Sequence, residues 1–166
     1  LPLEDAEVRQ WCAEPVVATL VDDGLLDVTG VLTRSSNIGA AKIALSLDTK
    51  EMYDTFRDFG FGSSTESGFP GESSGILPIG RDWRTIRQAT IGYGYGFNVT
   101  LLQLAQAYST LADGGVMHHP SFVKGVDNPG KQVVSPQIAH EVVGMLKTVV
   151  EDPNGTAYRT ARIANY

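Results

Sequence analysis

The chain is 166 residues long, 42% hydrophobic and 19% charged, with 13 Lys+Arg against 19 Asp+Glu and a formal net charge of −6. That length is enough to bury a core, and that composition excludes a disordered tail or a coiled coil. The acidity argues against nucleic acid as a partner, because neutralising a phosphate backbone needs clustered cations. A single cysteine, Cys12, excludes an intramolecular disulfide framework and a cysteine-based zinc site. No apolar run approaches the ~20 residues of a membrane span, and no signal-peptide pattern is read at the start. Leu1 in place of Met raises the expectation of a piece cut from a longer chain.

Residues 1–24 are the least readable. Glu4 to Trp11 reads as a short acidic helix, Pro15 stops it, Val16 to Val21 fits a strand or a buried helix turn, and Asp22-Asp23-Gly24 is a turn signal. Further on, Ile38, Ala41, Lys42 and Leu45 follow helical spacing and predict a helix over 37–47, with Ser35, Ser36 and Asn37 at its start. Asp48-x-x-Glu51 predicts a second helix with Met52, Phe56 and Phe59 on one face, ended by Gly60 and Gly62. Residues 62–82 read as a long Gly/Ser/Pro/Glu loop, of a length that is characteristically functional or mobile. Arg81 to Thr90 reads as one short helix carrying Trp83 and Ile86.

Gly92-Tyr93-Gly94-Tyr95-Gly96 then alternates glycine and tyrosine. Thr100-x-x-Gln103 is a capping box opening a helix with Leu101, Leu104, Ala105, Tyr108, Leu111 and Ala112 along its expected core side, closed by Asp113-Gly114-Gly115. Ser121 to Val126 reads as a strand, Asn128-Pro129-Gly130 as a turn and Lys131 to Val134 as its hairpin partner. Ser135-Pro136 caps a final helix that should bury Ile138, Val142, Met145, Leu146 and Val149, broken by Asp152-Pro153-Asn154-Gly155. The whole reads as mainly helical with a minor strand component.

Two hydroxyls and a carboxamide at Ser35-Ser36-Asn37 can serve a nucleophilic-serine enzyme: a hydroxyl relays a proton, and an amide orients a lysine and substrate backbone. Alone, the tripeptide is better explained as an ordinary helix cap. The one Ser-x-x-Lys that could supply a nucleophile for it, Ser121-Phe122-Val123-Lys124, follows the tripeptide instead of preceding it. It also reads as a strand, which would set its two ends on opposite faces. Lys147-Thr148-Val149 lacks the glycine of a Lys-Thr-Gly element. Tyr93 and Tyr95 could present a cleft wall, or could pack inward at a helix–loop junction. His118-His119 reads as a surface pair, since neighbours on a strand point apart. Glu66 and Glu72 could pair as carboxylates but read more simply as loop charge. The Asn98-Val99-Thr100 and Asn154-Gly155-Thr156 sequons are better explained by a helix cap and a turn. Nothing marks Cys12 as reactive, and no metal ligand set or cofactor motif is read.

Taken together, Leu26 to Gly39 (with Ser35-Ser36-Asn37), Phe59-Gly60-Phe61-Gly62, Gly68-Phe69-Pro70-Gly71-Glu72, Gly92 to Gly96 and Val99 to Ala105 are similar, in order and spacing, to the class B penicillin-binding proteins. The likeness is nearest to the septal peptidoglycan D,D-transpeptidases of Gram-negative bacteria and covers about residues 25–166; residues 1–24 stay unplaced. The resemblance implies an α/β (α+β) transpeptidase domain, with a five-stranded sheet covered by helices and a helical subdomain beside it. This chain would be a mostly helical, incomplete central part of it. Ser35 would be the proton-relay serine and Asn37 the lysine- and substrate-orienting amide, with Tyr95, and less directly Tyr93, lining the cleft. No cofactor or metal is implied.

The resemblance further implies stem peptides and β-lactams as ligands, cell-division membrane proteins as partners, no nucleic acid, and a site on the periplasmic side of the bacterial inner membrane. The tether would lie outside this chain. The nucleophile's Ser-x-x-Lys is expected upstream of Ser35 and the Lys-Thr-Gly strand shortly after Tyr166; neither has a match here. Two other readings stay open: a non-catalytic binding or scaffold piece of the same fold, and a β-lactamase-like serine hydrolase or sensor.

Overall fold

The computed structural model describes residues 17–18, 25–125, 128–161 and 163. Six α-helices account for nearly half of them: α1 (Val28–Thr33), α2 (Asn37–Ser46), α3 (Thr49–Asp58), α4 (Thr85–Gly92), α5 (Leu101–Ala112) and α6 (Pro136–Glu151). Short polar side chains start five of the six by accepting from backbone N–H groups that the helix cannot satisfy itself. Asp27 Oδ1 accepts from Gly30 N at 2.7 Å, Ser36 Oγ from Gly39 N at 3.1 Å, and Asp48 Oδ1 from Lys50 N at 2.8 Å. Thr100 Oγ1 accepts from Gln103 N at 3.1 Å and Ser135 Oγ from Ile138 N at 3.3 Å, with Pro136 at the first helical position as its fixed φ favours. The expected helix over Arg81–Thr90 is instead two pieces, a 3₁₀ turn at Gly80–Asp82 and then α4. Trp83 sits at the break because its indole Nε1 donates to Pro78 O at 3.0 Å and its ring is buried.

The strands are short. β1 (Val17–Ala18) pairs antiparallel with β2 (Leu25–Leu26), and β3 (Val116–Met117) with β4 (Lys131–Gln132). Lys131 and Gln132 are thus in a hairpin as expected, but their partner is not Ser121–Val126. Residues 121–125 form a turn in which Ser121 Oγ donates to Val123 O and accepts from Val123 N, each at 3.1 Å. A serine that binds its own backbone two residues on competes directly with a ladder. Among the described residues the strands make two separate two-stranded ladders, not a five-stranded sheet.

The apolar core gathers Ala44, Met52, Trp83 and Ile91, with Tyr53, Phe56, Leu77 and Phe97 packed against it. Phe56 is the hub of the rings: its centroid is 5.3 Å from Phe97, 6.1 Å from Phe61 and 6.4 Å from Trp83. α2 and α4 lie antiparallel beside this core. Gln88 Nε2 donates to Ala44 O and Leu47 O, both at 2.8 Å, and so satisfies carbonyls at the end of α2. One turn on, Gly92 comes so close that a Cβ there would lie 2.6 Å from Ala44 Cβ and 2.9 Å from Ala40 O. Only glycine admits this contact. α6 packs less deeply than its pattern suggests: Ile138, Val142, Met145, Leu146 and Val149 are half-buried and Ala139 alone on that helix is buried.

α5 reverses the expectation. Its capping box forms, but its buried residues are Gln103, Gln106, Ala107 and Thr110, while Leu101 is 83% and Tyr108 56% exposed, with Leu104, Ala105 and Ala112 exposed as well. The cause is the irregular segment it faces, whose carbonyls need donors. Gln103, with no exposed surface, accepts from Thr100 N through Oε1 at 2.8 Å and donates through Nε2 to Ser63 O at 2.7 Å and Ser74 O at 2.8 Å. Gln106 Nε2 donates to His118 O at 2.8 Å.

Between Ser63 and Ser74 the loop is tied rather than loose. Glu72 accepts four hydrogen bonds, from Thr65 N and Oγ1 (both 2.6 Å) and from Ser67 N (3.2 Å) and Oγ (2.7 Å). The hydroxyls of Thr65 and Ser67 hold its carboxyl down to about 2. Glu72 is therefore the loop's internal anchor, not simple loop charge, and these four donors leave it unpaired with Glu66, which is exposed and adopts φ 59°.

Two outcomes follow. Gln103→Leu should destabilise the chain by about 3 kcal/mol in urea unfolding, because it removes three partly buried hydrogen bonds at once, at about 1 kcal/mol each. Glu72 has a carboxyl pKa depressed from its ordinary 4.5 to about 2, so its stabilisation is complete above about pH 4.5 and lost as pH falls through about 2. Thermal melting should therefore show Glu72→Gln less stable at neutral pH, with the gap to the parent closing in acid.

Candidate functional site

The turn between α1 and α2 is built from hydrogen bonds that close α1. Ser36 N donates to Val31 O at 2.9 Å and Ser35 N to Leu32 O at 3.0 Å, the paired bonds of a Schellman motif. That motif puts its pivotal residue in the left-handed region, where glycine is usual. Here the residue is Ser35, at φ 53°. Its side chain is exposed, so the strain holds a hydroxyl out on the surface of the turn.

The next two residues divide the remaining work. Ser36 is the helix cap and is half-buried; its hydroxyl is spent on Gly39 N. Asn37 is the first residue of α2, exposed, and its carboxamide offers both donor and acceptor. The capping role and the free hydroxyl thus fall on different serines of the tripeptide.

The antiparallel contact of α2 with α4 sets what lies nearby. Gln88 meets the carboxyl end of α2, whereas Gly92 meets Ala40, one turn from Asn37. The chain leaving α4 therefore emerges at the end of the pair that carries Ser35 and Asn37. Tyr93 caps α4 and is half-buried; Tyr95 is 69% exposed, and the rings meet edge-on at 5.8 Å. Tyr95 N donates to Thr90 O at 3.0 Å, and glycines at φ 91° and 92°, Gly94 and Gly96, flank it. Neither tyrosine is sealed in the core. An exposed hydroxyl, an exposed carboxamide and an aromatic pair thus share one end of a rigid helix pair, a combination able to relay a proton and hold a peptide.

The other candidates lie elsewhere. His118 Nδ1 is 2.9 Å from Asn128 O and its Nε2 3.0 Å from Asp113 Oδ2, whereas His119 Nδ1 is 2.9 Å from Thr65 O. The two imidazoles serve different loops. Among the described residues no group of three or more His, Cys, Asp or Glu is arranged to hold a metal ion. Ser121 and Lys124 are in the turn described above, so the strand argument against them does not apply; their position after Ser35 in the chain still does. Asn98 is bridged to Ile76 by its backbone, and Asn154 N donates to Asp152 Oδ1 at 2.7 Å in a turn. Cys12 and the acidic segment Glu4–Trp11 fall outside the described residues.

The family model of the penicillin-binding protein transpeptidase domain matches residues 16–166. The chain is 43% identical over 132 residues to the probable peptidoglycan D,D-transpeptidase PenA of Neisseria gonorrhoeae, covering 79% of this chain and 22% of that protein. It is 42% identical over 145 residues to the probable peptidoglycan D,D-transpeptidase PbpC of Pseudomonas aeruginosa, covering 86% and 25%. It is 39% identical over 138 residues to the peptidoglycan D,D-transpeptidase FtsI of Escherichia coli, covering 82% and 23%. The chain thus spans about a quarter of the length of these curated relatives. Among solved structures it resembles the transpeptidase domain of penicillin-binding protein 3 from Burkholderia pseudomallei, with TM-score 0.75 and 41% identity, covering 82% of this chain and 42% of that one. A peptidoglycan glycosyltransferase from Burkholderia ambifaria matches with TM-score 0.76 and 42% identity over 83% of this chain and 44% of that one.

The strain at Ser35 has a measurable sign. Glycine relieves the left-handed penalty and gives back part of it in chain entropy, so Ser35→Gly should raise stability by about 0.5–1 kcal/mol. Ser35→Val, β-branched at the same φ, should lower it. Thermal melting of the two variants checks both signs.

Proposed function

The chain belongs to the penicillin-binding protein transpeptidase family, and from that premise we propose that it is the part of a peptidoglycan D,D-transpeptidase that carries the proton-relay serine and one wall of the acylation cleft. The observation that supports this is the antiparallel packing of α2 on α4, with Gly92 against Ala40, which starts the Tyr93–Tyr95 segment at the end of the pair where α2 begins with Asn37. In the reaction proposed, the serine of a Ser-x-x-Lys element of the whole protein attacks the carbonyl carbon of a stem peptide. The C–N bond breaks and the terminal D-Ala leaves. Ser35 Oγ passes the proton between the lysine and the leaving amine, and the Asn37 carboxamide orients the lysine and the substrate backbone. An amine of a neighbouring strand then displaces the serine, which recovers its proton, and the wall is cross-linked. β-Lactams acylate the same serine.

Tyr95 and Tyr93 line the cleft in this reading. The whole protein acts in cell division, with division membrane proteins as partners, at the periplasmic side of the inner membrane. FtsI of Escherichia coli is named a peptidoglycan D,D-transpeptidase and PenA of Neisseria gonorrhoeae a probable one, which supports the reaction class.

Acylation by a labelled penicillin tests the proposal. In the longer protein that contains this chain, Ser35→Ala and Asn37→Ala should each slow acylation about 100-fold or more. Undiminished rates in both would overturn it. The 166-residue chain alone should stay unlabelled, and a covalent adduct in its mass spectrum would refute the assignment of the nucleophile to a separate segment. A whole gene without the Ser-x-x-Lys element would favour a non-catalytic module of the same fold.

A further inference from the structure

The strained turn at Ser35 is fastened from a distance. The last four carbonyls of α1 have no partner inside the helix unless the chain folds back on them. Three are answered locally: Gly30 O by Arg34 N (2.9 Å), Val31 O by Ser36 N and Leu32 O by Ser35 N. The fourth, Thr33 O, is beyond the reach of that turn. It accepts instead from Thr156 N at 3.2 Å, from the turn that follows α6. Thr33 is buried, and its hydroxyl meets that of Thr148 on α6. Each hydroxyl also lies against a carbonyl of its own helix, Thr33 Oγ1 at 2.8 Å from Thr29 O and Thr148 Oγ1 at 2.7 Å from Met145 O. Two hydroxyl protons therefore face three contacts. One proton must cross between the helices whenever the Thr33–Thr148 bond is made, and the other stays with its own helix.

Gly155 completes the fastening. A Cβ there would lie 2.4 Å from Val149 O and 2.6 Å from Thr148 O, so the turn can close onto the end of α6, and bring Thr156 N to Thr33, only with glycine at that position. We infer that Thr148 and the Gly155–Thr156 turn are positioning elements for Ser35: they hold the carboxyl end of α1, and through it the left-handed turn that presents the Ser35 hydroxyl. The functional meaning rests on Ser35 being the relay serine; the mechanical coupling does not.

Amide hydrogen exchange on the 166-residue chain, read residue by residue by NMR, tests the coupling. Thr148→Val keeps the shape and removes the hydroxyl. It should speed exchange at Ser35 N and Ser36 N about tenfold or more, leaving Phe59 N and Leu104 N, which end and begin other helices, within about twofold. Thr148→Ser keeps the hydroxyl and should restore protection at both serines. Gly155→Ala keeps both hydroxyls, pushes the Thr156 turn off the end of α6, and should expose the same two amides. Equal loss at all four amides, as general destabilisation would give, overturns the inference. So does unchanged protection at Ser35 and Ser36 in both Thr148→Val and Gly155→Ala.

In the longer protein, Thr148→Val should lower the acylation rate constant about tenfold while leaving the penicillin's initial binding unchanged, and Thr148→Ser should rescue it. The two failures separate cleanly. If the serine amides respond but acylation does not follow even in Ser35→Ala, the relay reading falls and the coupling stands. If Ser35→Ala slows acylation but the amides ignore Thr148 and Gly155, the coupling falls and the relay reading stands.

Discussion

The carboxamide of Gln103 is the constraint on which the helical body depends. It is fully enclosed, it completes the cap of its own helix, and it feeds both ends of the loop from Ser63 to Ser74. A buried amide whose oxygen and nitrogen are both engaged behaves unlike a buried apolar group, because it dictates which backbone segments face it and at what angle. Gln103 holds the two ends of the Ser63–Ser74 loop, and between them Glu72 gathers Thr65 and Ser67. His119 then finds Thr65 O within reach and joins the loop to the segment after β3. A length of chain rich in glycine and serine becomes defined through hydrogen bonding rather than apolar burial.

The aromatic core and the α2–α4 pair supply the complementary rigidity. Gly92 against Ala40 and Ala44 removes the space that side chains would otherwise occupy, so the two helix axes cannot slide without a clash. The tyrosine loop inherits that precision because it begins at the very next residue. On the other side of α2, the Schellman turn reaches Ser35 through a helix of only six residues, too short to hold itself and dependent on α6 for support. The proposed cleft wall is thus anchored by close packing, and the proposed relay group by a few hydrogen bonds.

Local chemistry was the legible part of the sequence. Asp48, Thr100 with Gln103, and Ser135-Pro136 announced their helices because capping depends on neighbours within four residues. Ser35-Ser36-Asn37 was legible as a helix start, and the catalytic role proposed for it comes from the resemblance of the ordered segments around it. What could not be read was direction and depth. The leucines and the tyrosine of α5 carry a core-like spacing, yet the helix turns its glutamines inward, since periodicity records which residues share a face and not which face meets the rest of the chain. The strand expected from Ser121 failed over its described residues, 121–125, for the opposite reason: a β-like composition was overruled by one hydroxyl that closed a turn. Glu72 stood out only as a possible carboxylate partner of Glu66 and as the end of a family-like run; its anchoring role was not legible, because its four donors come from Thr65 and Ser67, residue types common in loops.

The hydroxyl pair on α1 and α6 joins positions 115 residues apart, whereas the contacts of Gln103 with the loop span 29 to 40. Loop-closure entropy grows with the logarithm of separation, so the longer closure costs about 1 kcal/mol more than the shorter ones before any contact repays it. The order of assembly follows from that difference. The body around α3, α4 and α5 can close while the far end of the chain is still arriving, and the Ser35 corner sets only when α6 docks. The Ser35 hydroxyl thus stands on a corner whose fastening spans the longer of these two separations.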